Sequence, residues 1–276
     1  MFCDWTIERY VRKNYYDDLN ALNPIERFTK KFKIEIEELK LDIKDDDKIV
    51  GWFYFDKKCE EKVIFTDEIQ DKETENIINA PLAFKSRTSV DRGHTLMDYE
   101  CVLKNGLVFY ENKIDEEIKK YPQNEYLLSM KASLETVCRL IKRACDMIDE
   151  KMTDCSKNEK PHLTELKNMI QKVPYYPAES FREAVQSVWM IHFLTPLSDD
   201  AWYSISLGKF DEYMYPFYKK SLKDGMTRDE AKSILHNLYK LLNSYSDGAC
   251  LLNVGAEYNE FSKLIIECQK EFAMPA

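Results

Sequence analysis

The sequence predicts a mostly α-helical fold with one small β-hairpin, on two observations. Glycine and proline are scarce, with 7 and 9 residues in a chain of 276, and apolar side chains recur at steps of three and four along most of the chain. The exception is 48–69, where IVGWFYF and KVIFT are rich in β-branched and aromatic residues and flank the charged turn DKKCEE. We expect these two runs to pair as the strands of the hairpin.

Helix boundaries follow from capping residues. Asn23 and Asn124 each precede an apolar periodic stretch and are expected to cap the helices that follow. Thr227 and Glu230 have the spacing of a capping box. Periodicity then predicts helices over 3–19, 25–40, 98–121, 125–153, 161–172, 178–194, 209–223, 228–245 and 256–272.

The helix predicted over 178–194 differs from the others because it is apolar on most sides, which is typical of a fully buried helix. A central helix wrapped by others implies a large assembly of helices around it. No repeat, low-complexity tract or linker interrupts the chain, so nothing marks a domain boundary.

The overall composition is that of a globular protein. Hydrophobic residues make up 44% and aromatic residues 13%, which is ample for a packed core. The net charge of −9 disfavours nucleic acid, since a phosphate-binding surface needs clustered lysine and arginine, although it leaves room for a local basic patch. No window approaches 18 uncharged apolar residues, and MFCDWTIERY does not resemble a signal peptide. We therefore expect a cytoplasmic protein without a membrane partner.

The spacing of cysteine and histidine predicts no metal site. Eight cysteines lie far apart without a C-x-x-C pair, and four histidines are dispersed along the chain. Reduced thiols in a reducing compartment are the simplest explanation. Cys138, Cys145 and Cys155 share one helical stretch, and we favour core packing for them because cysteine is commonly buried.

Three motifs, in order along the chain, resemble the pyruvate formate-lyase family. GHTLMDYECVLKNGL at 93–107 is similar to its Gly-His-x-x-x-Asp-Tyr element, and VPYYPAESFREAVQSVWMIHFL at 173–194 resembles its Pro-x-x-Pro-Ala turn and aromatic-rich helix. SISLGKFDEYMYPFYKKSLKDG at 204–225 is similar to its Ser-x-Gly-Arg-Phe-Asp-x-Tyr element, with Lys209 where arginine is usual. DDDKIVGWF at 45–53 adds a weaker likeness, so the resemblance covers the chain from about residue 25.

The resemblance implies the amino-terminal portion of a glycyl-radical enzyme, as one partial domain over 1–276. Such enzymes enclose a ten-stranded α/β barrel in a helical shell, and their amino-terminal part supplies shell helices and some of the pocket wall. Their glycyl radical is installed by an S-adenosylmethionine iron–sulfur activating enzyme and passes to a cysteine that takes hydrogen from a small-molecule substrate. We favour a lyase or dehydratase over a formate acetyltransferase, because the elements GHTLMDY at 93–99 and SISLGKF at 204–210 look more like that branch.

Both radical motifs of the family are absent from the sequence. The thiyl cysteine belongs to Gly-Cys-x-Glu and the radical glycine to Arg-Val-x-Gly, and the nearest approach here is Gly248-Ala249-Cys250. We therefore expect no catalytic residue, cofactor or metal in this chain. The chain would be a truncated member, a split-gene half or a decayed copy of the family, and inactive alone. Its partner would be a complementing chain or a second copy in a homodimer. The alternative is a non-catalytic helical scaffold or regulator that binds a full-length relative or an activating enzyme.

The resemblance gives three candidates for substrate binding. His94 could assist departure of a substrate hydroxyl when protonated, or could simply satisfy backbone groups at a helix start. Asp98 has helix capping as its commoner use. Ser206 could bond a substrate oxygen or close the turn that follows it, and both interpretations stay open. Asp211 and Tyr213 are expected to cap and pack the next helix rather than touch substrate.

Overall fold

The computed structural model describes residues 5–57, 96–199, 205–245, 252–255 and 258–272. Within these ranges helices dominate and the strands are short. The helices are α1 Trp5–Asn14, α2 Tyr16–Asn20, α3 Pro24–Glu38, α4 Tyr99–Asn105, α5 Leu107–Lys120, α6 Glu125–Asp154, α7 Lys160–Lys172, α8 Phe181–Asp199, α9 Phe210–Lys223, α10 Arg228–Tyr245 and α11 Glu260–Phe272. The strands are β1 Lys40–Asp42, β2 Trp52–Tyr54, β3 Gly208–Lys209 and β4 Leu252–Asn253.

Helix α8 lies at the centre of the described fold, in contact with α3, α4, α7, α9 and α10. Phe181, Val185 and Trp189 are fully enclosed, as expected for a helix whose apolar residues are not confined to one stripe. The prediction of a buried central helix is confirmed, although the helix runs past the predicted end and through Pro196. Proline removes one helical hydrogen bond, but burial of Leu197 holds the last turn in place.

A buried polar network fixes the segment 44–50 against the central helices. Asn237 Oδ1 accepts from two consecutive amides of this segment at 2.7 and 2.9 Å, and Gln186 bonds both the amide and the carbonyl of Val50. The fully buried Asp47 accepts from Asn237 Nδ2 at 3.0 Å. The network ties the chain ahead of β2 to α8 and α10, and it satisfies polar groups that would be costly to bury alone.

The small antiparallel sheet differs from the predicted hairpin. Strand β2 pairs with β1, with Leu41 opposite Phe53, whereas the sequence indicated helix as far as residue 40. A three-residue strand is too short for its alternation to be recognised. The other predicted strand, KVIFT at 62–66, lies outside the described residues.

The predicted single helix over 98–121 is wrong in one respect, since it divides at Gly106 into α4 and α5. Gly106 has φ of +71°, which side chains rarely adopt. The amides of Leu107 and Val108 there donate to the carbonyls of Pro174 and Tyr175, each at 3.0 Å. The loop after α7 therefore takes the bonds that a continuous helix would have made. The predicted helix over 3–19 likewise divides, at residue 15.

The predicted helix caps are confirmed. Asn23 Oδ1 accepts from two amides of the first turn of α3, each at 3.0 Å, and Asn124 Oδ1 accepts from one amide of α6 at 3.2 Å. The capping box closes in both directions, because Thr227 N donates to Glu230 and Glu230 N donates to Thr227 Oγ1. Helix α11 starts later than predicted because Asn259 caps it.

Three chain segments lie side by side in parallel orientation. Strand β3 pairs with β4, with Gly208 opposite Leu252, and Leu96 pairs with Ser206 in a parallel bridge. Parallel pairs need a long crossover connection, which α/β folds provide with helices. Helix α8 is part of that crossover between Leu96 and β3, so a short parallel sheet lies within a mainly helical fold.

Candidate functional site

The candidate site lies at the carboxyl ends of the three parallel segments. Ligands of α/β proteins bind beyond the carboxyl ends of parallel strands. Asp98 follows the Leu96 bridge, and Ser206 belongs to the segment with which Leu96 pairs. The fold thus brings two of the three predicted substrate-binding residues onto neighbouring segments. The third, His94, lies outside the described residues.

Asp98 caps helix α4. Its Oδ1 accepts from the amide of Cys101 at 3.0 Å, which satisfies a donor that the first helical turn would leave unpaired. The capping interpretation is confirmed, and substrate contact stays a prediction. The cap also fixes where α4 begins relative to Leu96, and hence relative to Ser206.

Ser206 closes the turn that precedes Gly208. Its Oγ accepts from the amide of Gly208 at 2.9 Å. Gly208 has φ of +61°, and a Cβ added there would lie 2.7 Å from Leu96 Cδ1, so the turn requires glycine. Contact between Ser206 and a substrate stays a prediction.

Two tyrosines and one histidine form an aromatic row beside these segments: His192, Tyr99 and Tyr213. The Tyr213 hydroxyl donates to the Leu207 carbonyl at 2.8 Å. The rings of Tyr213 and Tyr99 stack, with centroids 5.9 Å apart and planes inclined by 20°, and the Tyr99 hydroxyl lies 3.3 Å from His192 Nδ1. The row therefore connects α8, α4 and α9 to the backbone beside Ser206.

His192 is uncharged at neutral pH. Its ring is half-buried, and desolvation lowers its pKa to about 4 because a poorly hydrated site disfavours the imidazolium form. A neutral ring has one acceptor nitrogen, which can take the hydrogen of the Tyr99 hydroxyl. The pair satisfies a tyrosine that is only 2% exposed, as the polar tip of a buried tyrosine requires.

Asp211 holds the chain after β4 against α9. The side chain is fully buried, and its two oxygens accept from Gly255 N at 2.8 and 3.0 Å, while Oδ2 also accepts from the Ser262 hydroxyl at 2.6 Å. The expected capping role is wrong, because the residue bonds two other segments rather than the start of its own helix. Tyr213 packs against neighbouring rings, as expected.

The other candidate chemistry is sparse in the described part of the chain. No group of three or more histidine, cysteine or acidic side chains there could hold a metal ion. Five cysteines in that part are free, and burial raises the pKa of Cys138 and Cys145. These two are therefore protonated thiols at neutral pH, in agreement with packing rather than catalysis. Of the helices described, none is both long and apolar enough to cross a bilayer.

Comparison with protein families gives a direct match. Residues 40–247 fit the family described as pyruvate formate lyase-like. Because this match spans most of the chain, the chain belongs to the pyruvate formate lyase-like family. Isethionate sulfite-lyase from Bilophila wadsworthia is 27% identical over 164 residues, which are 56% of this chain and 19% of that protein. Trans-4-hydroxy-L-proline dehydratase from Clostridioides difficile is 22% identical over 166 residues, 55% of this chain and 20% of that one.

Solved structures establish the fold. The glycerol-bound B12-independent glycerol dehydratase from Clostridium butyricum superposes with a TM-score of 0.74 at 19% identity, over 98% of this chain and 44% of that chain. A glycyl radical enzyme from Archaeoglobus fulgidus superposes with a TM-score of 0.72 at 18% identity, over 98% of this chain and 45% of that chain. The chain has the fold of the helical part of a glycyl-radical enzyme barrel. It spans less than half of these structures and about a fifth of the two curated relatives.

The residues of this chain do not fit the radical group of the family. The 276 residues contain neither Arg-Val-x-Gly nor Gly-Cys-x-Glu, the two motifs to which the family resemblance assigns the radical glycine and the thiyl cysteine. The aromatic row was not recognised as part of the site from sequence. A signal was present, because Tyr99 placed a polar group on an otherwise apolar helical stripe and would need a partner inside the fold.

Proposed function

We propose that this chain forms part of the substrate-pocket wall of a glycyl-radical lyase or dehydratase. The thiyl cysteine and the radical glycine would come from polypeptide outside these 276 residues. The observation that carries the proposal is the parallel pairing of Leu96 with Ser206 and of β3 with β4 inside a helical layer. Membership in the pyruvate formate lyase-like family supports it.

Under this proposal the substrate is a small hydroxylated molecule, which the names of related structures support. The names of three related structures mention glycerol, 1,2-propanediol or trans-4-hydroxy-L-proline. Under this proposal Ser206 bonds a substrate oxygen and Asp98 contributes a carboxylate to the same wall, while His94 donates a proton to the departing hydroxyl. The complete enzyme would have an activating enzyme as partner. It would act in the cytoplasm, and the dispersed cysteines agree with such a reducing compartment.

The test is reconstitution under anaerobic conditions. The chain is produced together with the polypeptide encoded directly downstream and with an S-adenosylmethionine activating enzyme. Electron paramagnetic resonance then measures the glycyl radical, and product analysis measures turnover of glycerol, 1,2-propanediol, hydroxyproline and isethionate. We expect a radical and turnover of one substrate only when this chain is present.

Substitution separates a pocket role from a scaffold role. Ser206→Ala should lower turnover about fivefold without changing the radical yield, since one hydrogen bond to substrate is worth roughly 1 kcal/mol. Ser244→Ala is the matched control, because that hydroxyl bonds a carbonyl of its own helix. Equal turnover in both variants would contradict the pocket role. Turnover of a full-length relative that merely rises or falls on addition of this chain would instead support a scaffold or regulator.

A further inference from the structure

The aromatic row contacts both the segment that contains Asp98 and the segment that contains Ser206. Asp98 directly precedes Tyr99, which belongs to the first turn of α4. Ser206 directly precedes Leu207, whose carbonyl accepts the Tyr213 hydroxyl at 2.8 Å. The stacked rings of the two tyrosines therefore join the two segments by a route separate from the single parallel bridge between Leu96 and Ser206.

The position of the Ser206 hydroxyl follows from its backbone. Serine has one rotatable side-chain bond, and here Oγ is already directed to the amide of Gly208. Any shift of the Leu207 peptide unit therefore moves Oγ with it. Leu207 is fully buried, so its carbonyl depends on protein donors rather than water. Tyr213 supplies one such donor from helix α9.

Both ends of the row belong to well-packed helices. Tyr213 follows Phe210 and precedes Met214, which are fully buried residues of α9. At the other end, the Tyr99 hydroxyl meets His192 of the central helix α8. A side chain held by packing on a helix gives a more precise anchor than a loop does.

We propose that Tyr213 and Tyr99 are positioning residues that set the spacing between the Asp98 and Ser206 segments and thereby the substrate affinity of the site. The inference rests on the proposed function for its consequence in binding. Its structural half, that the Tyr213 hydroxyl holds the 205–209 backbone in place, stands independently of any activity.

The test uses Tyr213→Phe, which keeps the ring and its stack but removes the hydroxyl. In the reconstituted enzyme we expect amides of 205–209 to exchange with deuterium about tenfold faster, and KM to rise about tenfold with kcat changed less than about twofold. Tyr175→Phe is the matched control, because it also loses a tyrosine hydroxyl bond, to Glu111 in another part of the fold. It should leave both readouts unchanged.

A second variant tests the other end of the row. Tyr99→Phe keeps the stack and loses the His192 contact, so KM should rise by a smaller factor, about threefold, as expected for a weaker bond at 3.3 Å. A merely structural role would lower the amount of active enzyme and the melting temperature without changing KM.

The outcomes are distinguishable. Unchanged exchange of 205–209 in Tyr213→Phe overturns the inference, and so does faster exchange with an unchanged KM. If the unsubstituted enzyme forms no radical and converts no substrate, the proposed function fails. The exchange measurement on the chain still decides in that case whether Tyr213 holds the backbone beside Ser206.

Discussion

At the scale of single residues, Gly106 is strongly constrained because both its conformation and its surroundings exclude a side chain. Its φ is +71°, and an added Cβ would collide with the backbone carbonyl oxygen of Tyr175. Gly106→Ala should therefore lower the free energy of unfolding by about 3 kcal/mol or more, of which roughly 1–2 kcal/mol is the positive-φ strain. Gly225→Ala is the control, since its φ is +104° and no atom lies within 4 Å. Urea unfolding that gives equal losses for both would contradict the collision.

The titration of His192 gives a second residue-scale prediction. Its pKa is about 4 in the fold, against about 6.5 for a free histidine. Between these values the unfolded chain binds a proton that the folded chain does not, so stability falls as pH decreases from 6.5 towards 4 and is unaffected above that window. Solvent partly screens the half-buried ring, so we expect the free energy of unfolding to fall by about 1–2 kcal/mol between pH 6.5 and 5. Burial also lowers the pKa of His162, which acts in the same direction.

The measurement is urea unfolding at several pH values. His192→Gln keeps a neutral group able to accept from Tyr99, and it should make the loss between pH 6.5 and 5 clearly smaller than in the unsubstituted chain. If the unfolding free energy changed equally with pH in both proteins, His192 would take up its proton equally well in the folded and unfolded states.

At the scale of elements, the clamp on segment 44–50 depends on one side chain of α10. Asn237 accepts from the half-buried amide of Lys48 and the buried amide of Ile49, and it donates to the buried Asp47. Asn237→Ala leaves the two amides without this acceptor, whereas Asp47 keeps its bonds from Lys44 N and Trp52 Nε1. Each unsatisfied buried group costs roughly 1–3 kcal/mol, so we expect the free energy of unfolding to fall by about 3 kcal/mol. Asn243→Ala, at an exposed position of the same helix, should cost less than about 0.5 kcal/mol. Comparable melting temperatures for the two variants would exclude a stabilising clamp.

The helices could be predicted far better than the strands. Caps such as Asn23 and the Thr227–Glu230 box act within one helical turn, so the sequence contains both partners of each bond. The pairing of β1 with β2 involves three residues of each strand, and Leu96 pairs with Ser206 through a single residue of each segment, far apart in sequence. No local pattern determines such contacts, because they depend on how the helices pack. For the same reason the bridging role of Asp211 was not predicted.

At the scale of the whole molecule, the candidate site was predicted from motif resemblance rather than from patterning. Asp98 and Ser206 are 108 residues apart in sequence, and their segments are brought together by the parallel bridge and by the stacked rings of Tyr99 and Tyr213. The simpler interpretations of both residues, a helix cap and a turn, were accessible from local chemistry and are what the structure displays. The aromatic row is a tertiary feature, so it required the packed fold.

One apolar stripe extends beyond the core that it helps to form. Val137 and Ile141 on α6 are buried, while Tyr126 and Met130 continue the same helical face and are 69% and 55% exposed. An uncovered continuation of a core stripe favours association, since burying it removes apolar surface from water. We therefore predict that the isolated chain self-associates at micromolar concentration and binds a hydrophobic dye.

Tyr126→Lys combined with Met130→Lys should give a monodisperse monomer in sedimentation velocity, with no loss of unfolding free energy, because both side chains already face solvent. Leu222→Lys on α9 is the control, since that residue is a single exposed apolar side chain at 36%, and association should be unaffected. An unsubstituted chain that sediments as a monomer and binds no dye would show that the stripe drives no association. Self-association that persists in the double variant would place the associating surface elsewhere, and the exposed Leu96 beside Gly208, at 60%, would then be the next face to substitute.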